Sequence, residues 1–229
     1  MAGPLKIAIL ISGRGSNMDK LLDLCAARPE QLEVVLVAAD RPASGLERAA
    51  ARNIPAKMLA PAEFGGRRPG QEQALLEAIT TARADWVFLA GYMAILSAEF
   101  LDQLAGRVIN IHPSLLPHFK GLDTHQRALA AGHTQHGLSI HLVTPGMDEG
   151  PVILQAAVPV FADDAAEGLA ARVLAAEHLC YPAVLAALAD GHLSLERGVV
   201  WHPAAQLPDP DAAGLLWLSN GPPAAEDHG

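Results

Sequence analysis

Aromatic residues are scarce in this chain, 4% of 229 residues, so its core has to be packed by the small aliphatics that dominate the 51% apolar fraction. Cysteine is nearly absent: Cys25 and Cys180 stand far apart and outside any CxxC pattern, which excludes a disulfide framework and a zinc ribbon. Both are expected to be buried thiols in a reducing compartment. Positive charge is in deficit, with 16 Lys and Arg against 25 Asp and Glu and a net charge of −9. Without a basic run or stripe, neither nucleic acid nor an anionic membrane is an expected partner. No continuous apolar run approaches the roughly 20 residues of a membrane span, and the N-terminus lacks the charged and apolar regions of a signal peptide. The expectation is a soluble, cytoplasmic protein without internal repeats. From Pro203 to Gly229 there is no Lys or Arg, and five prolines and four acidic residues make 203–229 an expected mobile tail, with Leu215-Leu216-Trp217-Leu218 as its one segment able to dock.

What is present is a regular alternation. Leu5 to Ile11 is nearly continuous in apolar residues, as in a strand covered by helices on both faces. Met18, Leu21, Leu22 and Cys25 then fall at helical spacing. Strands follow at 32–38, 56–59, 85–90 and 107–112, separated by helical patterns at 44–52, 71–82 and 97–105. This is the signature of an α/β, Rossmann-like fold: a mostly parallel twisted sheet with helices on both faces. The C-terminal half differs, with a helix at 125–131, strands at 138–143 and 152–158, an antiparallel strand among them, and a long amphipathic helix at 165–188. One domain is expected over 1–202, a phosphate-binding half to about 106 and a catalytic half over 107–202.

Strand 5–11 runs into Ser12-Gly13-Arg14-Gly15-Ser16-Asn17 and a helix. Glycines at such a turn let backbone N–H groups face an anion, and the helix N-terminus adds its dipole. Ser16 and Asn17 are candidates both to cap that helix and to donate to a bound oxygen. As a dinucleotide fingerprint the loop is defective, because Met18 stands where the third glycine belongs, and Asp40, placed like a ribose-binding acid, is followed by Arg41. As a P-loop it lacks the GK[ST] ending. A phosphate monoester held by Gly15, Ser16 and Asn17 needs only what is there, and a purely structural turn is the remaining alternative.

The run Asn110-Ile111-His112-Pro113-Ser114-Leu115-Leu116-Pro117 ends a β-branched strand. Residues i and i+2 share a strand face, so Asn110 and His112 project together where Pro113 bends the chain. An amide donor beside a titratable ring suits acid–base chemistry; a turn that happens to contain Asn and His is the plainer alternative. Six of the ten histidines lie between 112 and 141. No HExxH or comparable ligand spacing occurs among them, so no metal is expected, and His118, His133 and His136 are taken as surface residues. His141 closes an alternating segment, and Gly146-Met147-Asp148-Glu149-Gly150 follows as a tight loop presenting a carboxylate. An acid there could orient His112, and an opposite charge favours an imidazole's protonated form.

Four segments together carry a resemblance: Ile9 to Asn17, Leu89-Ala90-Gly91-Tyr92-Met93, Asn110 to Pro117, and Gly150-Pro151-Val152-Ile153-Leu154-Gln155. They closely resemble the phosphoribosylglycinamide formyltransferase family, collinearly from about residue 5 to 193. The resemblance implies transfer of the formyl group of 10-formyltetrahydrofolate, a co-substrate, to the amine of glycinamide ribonucleotide, by a monomer or homodimer needing no metal. It implies Asn110, His112 and Asp148 as the catalytic trio. Gly15, Ser16 and Asn17 would hold the substrate phosphate and Glu177 the ribosyl part. Arg68 (or its neighbour Arg67), Met93, Leu96, Asn110 and His141 would meet the folate. The sequence departs from the family pattern at Lys120, where a proline is common, at Asp123, at Ala94 in place of a frequent arginine, and at Leu174 in place of a polar residue.

The expected chemistry is direct attack by a neutral amine, with the oxyanion stabilised by Asn110 and protonated His112 and the proton relayed with help from Asp148. No Cys or G-x-S-x-G nucleophile is present in the motif to form a covalent intermediate. Within the folate enzymes, a methionyl-tRNA formyltransferase would need a basic RNA-binding C-terminal domain where this chain is acidic. A formyltetrahydrofolate deformylase would carry an additional N-terminal regulatory domain. From another class, a nicotinamide-binding module would explain the glycine loop and leave Asn110, His112 and Asp148 without a role.

Overall fold

The nearly continuous apolar run at 5–11 forms a strand buried on both sides: in β1 (Leu5–Ile11), Ala8 and Leu10 join a core cluster while Ile7, Ile9 and Ile11, pointing the opposite way, are equally buried. In this computed structural model residues 3–66, 68–195, 198–202, 205, 207 and 216–219 are described. The chain divides into two compact units, Met1–Asn110 with Leu142–Gly146, and Ile111–His141 with Met147–Gly229.

The first unit contains β1, α1 (Ser16–Ala27), β2 (Leu32–Ala39), α2 (Ser44–Ala51), β3 (Ala56–Met58), a 3-10 turn at Pro61–Phe64, α3 (Arg68–Thr81), β4 (Trp86–Leu89), α4 (Ala98–Gln103) and most of β5 (Val108–His112). Its strands are parallel in the order β3-β2-β1-β4-β5. Because β2 and β4 lie on opposite sides of β1, the strand order reverses between β1 and β4, and α/β folds of this kind bind ligands at the carboxyl ends of such strands. On one face Leu75, Ala78 and Ile79 of α3 and Phe100 and Leu101 of α4 pack with Ala8, Leu10, Leu36, Val87 and Leu89. Small residues such as Ala8, Ala38 and Ala78 let the layers approach without aromatic filling. Residues 142–146 rejoin this unit, Val143 N donating to Val108 O at 2.9 Å.

The second unit contains α5 (Thr124–Ala130), β6 (Gln135–Leu142), β7 (Val152–Pro159), α6 (Ala166–Ala189), β8 (Leu193–Ser194), β9 (Val200–Trp201) and β10 (Leu216–Ser219). β6 and β7 are antiparallel, with a register shift between Ile140 and His141, and β10 runs antiparallel along β7. The expected antiparallel element is therefore present; β8 and β9, a separate two-residue pair, are too short to leave a periodic signal.

One expectation is qualified here and another changes. Although no unbroken apolar run of that length exists, α6 has the length and composition of a membrane-crossing helix. It buries Leu169, Val173, Ala176, Cys180, Tyr181 and Val184, and a carboxylate, Glu177, lies among them. His136, taken as a surface loop residue, instead lies in β6 at 1% exposure. Its burial comes from side-chain packing: its ring sits edge-on to His125 at 5.1 Å and to Phe119 at 5.9 Å.

Candidate active site

In the first unit, β1 delivers its chain end to the point where strand order reverses. Gly15 precedes α1 with φ 73°, a left-handed conformation that fits glycine, and Asp19 N donates to its carbonyl at 2.9 Å. A Cβ at Gly15 would also stand 3.2 Å from Met18 Cε. Gly15 thus occupies the capping position expected of Ser16 or Asn17, which instead belong to the first turn of α1. Asn17 is 8% exposed and Ser16 half-buried.

Ser12 was not among the expected site residues. Its N–H donates to Gly91 O at 3.1 Å and its Oγ accepts from Met93 N at 2.8 Å. One hydroxyl thereby ties the glycine loop to the segment following β4. A polar residue ending an apolar strand is the signal that could have found it. Met93 is 55% exposed, whereas Leu96 belongs to the core at 6% exposure. Arg67 and the side chain of Arg68 lie outside the described residues. Asp40 is held by Arg41, Nη2 to Oδ2 at 2.8 Å, and this pairing engages the carboxylate a ribose would need. Asn110 lies opposite Leu89 near the end of β5.

In the second unit the structure brings His112, Asp148 and His141 together. His112 ends β5 at 6% exposure. Its Nε2 lies 3.0 Å from Phe119 O, and its Nδ1 lies 3.4 Å from Asp148 Oδ2. A carbonyl only accepts, so Nε2 carries the hydrogen, and the ring is fixed with Nδ1 toward the carboxylate. Asp148 Oδ2 also accepts from Gly121 N at 2.9 Å, while its Oδ1 is 3.7 Å from His141 Nε2. At 3.4 Å the Nδ1–Oδ2 contact lies beyond the usual hydrogen-bond range but within ion-pair distance.

Beneath this pair, the Pro113–Pro117 stretch is pinned by side chains outside the expected site residues. Ser139 Oγ donates to Ser114 O at 2.7 Å and accepts from Leu116 N at 2.9 Å, and Gln155 Nε2 donates to Leu116 O at 2.8 Å. Ser139 and Gln155 are both buried, facing each other in the β6–β7 register. A serine and a glutamine inside two otherwise apolar strands were the available signal, because buried polar groups need partners. Thr124 Oγ1 closes the turn from α5, donating to Pro113 O at 2.7 Å.

Beyond the pair, burial depresses the His136 pKa to about 4, with the charge of His125 adding to it, and burial likewise lowers that of His125. Glu177 is 6% exposed on α6, and Cys180, one turn on, has its thiol pKa pushed up to about 12 by burial, with a further rise from Glu177. Among the described residues no group of three or more His, Cys, Asp or Glu could hold a metal ion.

The first unit's doubly wound sheet with a glycine turn at its switch point is that of an α/β enzyme, and the second unit's oriented imidazole beside a carboxylate is suited to acid–base chemistry. Residues 5–185 match the formyl transferase family, and the chain belongs to it. It is 42% identical over 205 residues to the phosphoribosylglycinamide formyltransferase of Escherichia coli strain K12, covering 89% of this chain and 96% of that protein. Among solved structures, glycinamide ribonucleotide transformylase 1 from Symbiobacterium toebii superposes with a TM-score of 0.83 at 41% identity, over 88% of this chain and 96% of that one. A formyltetrahydrofolate deformylase from Burkholderia mallei gives a TM-score of 0.77 at 30% identity, with 87% of this chain and 70% of that one covered.

Proposed function

We propose that this enzyme transfers the formyl group of 10-formyltetrahydrofolate to the amino group of glycinamide ribonucleotide, a step of de novo purine biosynthesis. The observation that carries this reading is the His112–Asp148 pair, with Nδ1 3.4 Å from Oδ2 and the opposite ring nitrogen anchored on Phe119 O. The names of the relatives, spanning nearly their whole length, point to the same reaction.

Formyl transfer requires a neutral amine to attack the formyl carbon, stabilisation of the resulting oxyanion, and departure of the folate nitrogen with a proton. Asn110 would donate its amide N–H to the formyl oxygen. His112, as imidazolium, would donate from Nδ1, since Nε2 is occupied in positioning. Asp148 would hold that charge and help carry the proton from the attacking amine to the leaving nitrogen, directly or through a water. Gly15, Ser16 and Asn17 would hold the substrate phosphate by backbone and side-chain donors at the start of α1, and Glu177 would accept from the ribosyl hydroxyls. Met93, Leu96 and His141 would line the folate position, with Arg68 meeting its anionic tail. No covalent enzyme intermediate enters this scheme.

The test is a spectrophotometric assay with 10-formyltetrahydrofolate and glycinamide ribonucleotide, comparing wild type with His112→Ala. Formyl transfer dependent on the ribonucleotide and lost by about 10²-fold or more in the variant is expected. Folate turnover that needs no ribonucleotide would assign the chain to hydrolysis, the deformylase reaction. Full activity in the variant would remove His112 from the mechanism.

A further inference from the structure

Two residues that hold His112 have backbones that side chains rarely adopt. Phe119, whose carbonyl receives Nε2, has φ 54°, and Asp148, beside Nδ1, has φ 53°. A left-handed backbone is uncommon for any residue but glycine, and a bulky aromatic there is an outlier. Such conformations persist where surrounding contacts over-determine them.

The contacts that do so converge on four residues, 119–122. Arg127 on α5 donates from Nη1 to Lys120 O at 2.6 Å and to Leu122 O at 3.2 Å, the carbonyls flanking Gly121. Its guanidinium also lies 5.5 Å from the centre of the Phe119 ring. From the other loop, Glu149 Oε1 accepts from Lys120 Nζ at 2.8 Å, next to the Gly121 N to Asp148 Oδ2 bond. Residues 120 and 121 are thus joined to 149 and 148 by consecutive links, and one arginine clasps the same segment from behind. Lys120 is one of the positions where the sequence departs from the family pattern.

We propose that Arg127 and the Lys120–Glu149 ion pair are positioning residues for the His112–Asp148 pair. They fix the 119–122 segment, whose Phe119 carbonyl orients the imidazole and whose Gly121 N–H orients the carboxylate. None of the three side chains needs to touch the reacting atoms. An exposed ion pair contributes little to global stability, so the effect falls on the geometry of the pair rather than on unfolding. Displacements of about 1 Å in a reacting constellation can cost about 10²-fold in rate.

The catalytic consequence rests on the formyl-transfer reading, and the geometric one does not, so the experiment has two arms. In the first, Arg127→Gln should lower kcat by about tenfold with KM for glycinamide ribonucleotide within about twofold of wild type. Lys120→Glu, which faces Glu149 with a like charge, should lower kcat several-fold, and the charge-swapped double variant K120E/E149K should recover to within about twofold of wild type. In the second arm, amide hydrogen exchange of Gly121 is followed by NMR, and Arg127→Gln should reduce its protection by about tenfold or more while thermal unfolding stays close to wild type. Unchanged Gly121 protection in Arg127→Gln would overturn the proposal, as would a double variant no better than K120E. If the wild-type enzyme transfers no formyl group to the ribonucleotide, the functional reading fails, and Gly121 exchange alone decides the positioning role.

Discussion

Replacing Asp148 by Asn removes a charge while preserving nearly everything else that the carboxylate does. With its carbonyl oxygen in the Oδ2 position, asparagine still accepts from Gly121 N, which lies 2.9 Å away. It also tolerates a left-handed backbone, so the φ of 53° at this position adds no new strain. What is lost is the attraction between carboxylate and imidazolium: at 3.4 Å and an effective dielectric of about 20, Coulomb's law gives a gross interaction of about 5 kcal/mol. The side chains of His112 and Asp148 are only 8% and 12% exposed, so water screens little of it. Part of that energy is offset by the desolvation that the charged pair no longer requires. A net loss of about 3–4 kcal/mol of transition-state stabilisation then follows, which is a fall in kcat of about 10²–10³-fold. Steady-state kinetics with both substrates would measure it, with thermal unfolding as the control on folding. KM for the ribonucleotide should stay within about threefold, because the glycine loop that would hold its phosphate is untouched. A folded Asp148→Asn enzyme whose kcat lies within threefold of wild type would refute the electrostatic argument, since shape and the Gly121 bond would then account for everything Asp148 does.

Two further outcomes concern stability. His136 has its folded pKa at about 4 against an ordinary 6.5, so the unfolded chain binds its proton first. Its contribution is fully present above about pH 6.5 and is lost as pH falls toward 4, amounting to about 3 kcal/mol, with His125 acting in the same direction. Thermal unfolding across that window should therefore be steeper in pH for wild type than for His136→Gln, and parallel curves would contradict the argument. Gly137, next along β6, has no room for a side chain: a Cβ would collide with the Ala156 carbonyl and stand 2.9 Å from Ala157 Cα. Gly137→Ala should force β6 and β7 apart, costing about 3 kcal/mol and lowering Tm by roughly 10 °C, whereas a shift under 2 °C would mean the strands yield cheaply.

The sheet and the site were legible to different depths, for physical reasons. β1 was readable because burial on both faces makes five successive positions, Ile7 to Ile11, apolar, and β5 because β-branched residues lead into Pro113. Asn110 and His112 were readable as residues of one strand, where geometry puts i and i+2 on the same face. His136 was not, since Gly132-His133-Thr134-Gln135-His136-Gly137 has the composition of a loop. Its burial depends on the rings of His125 and Phe119, brought to it by folding rather than by local sequence. The start of α1 was misjudged by the same kind of limit: the left-handed Gly15 takes the capping position, which composition assigns to serine or asparagine.

The orientation of His112 and of Asp148 lies deeper still, because backbone atoms hold each of them. Phe119 offers a carbonyl and Gly121 an N–H, groups that every non-proline residue possesses, so no residue type marks the role. What marks it is conformation. A left-handed phenylalanine is costly, and replacing it by glycine would relieve the backbone but remove the ring over which the Arg127 guanidinium lies. At Asp148 the same exchange would remove the carboxylate itself. Both positions therefore keep a side chain where the backbone favours glycine, and in both the retained group faces the ring of His112 or the segment that orients it. A left-handed phenylalanine, held by Arg127 where its carbonyl meets the ring of His112, supports the reading that the orientation of that imidazole matters to what the protein does.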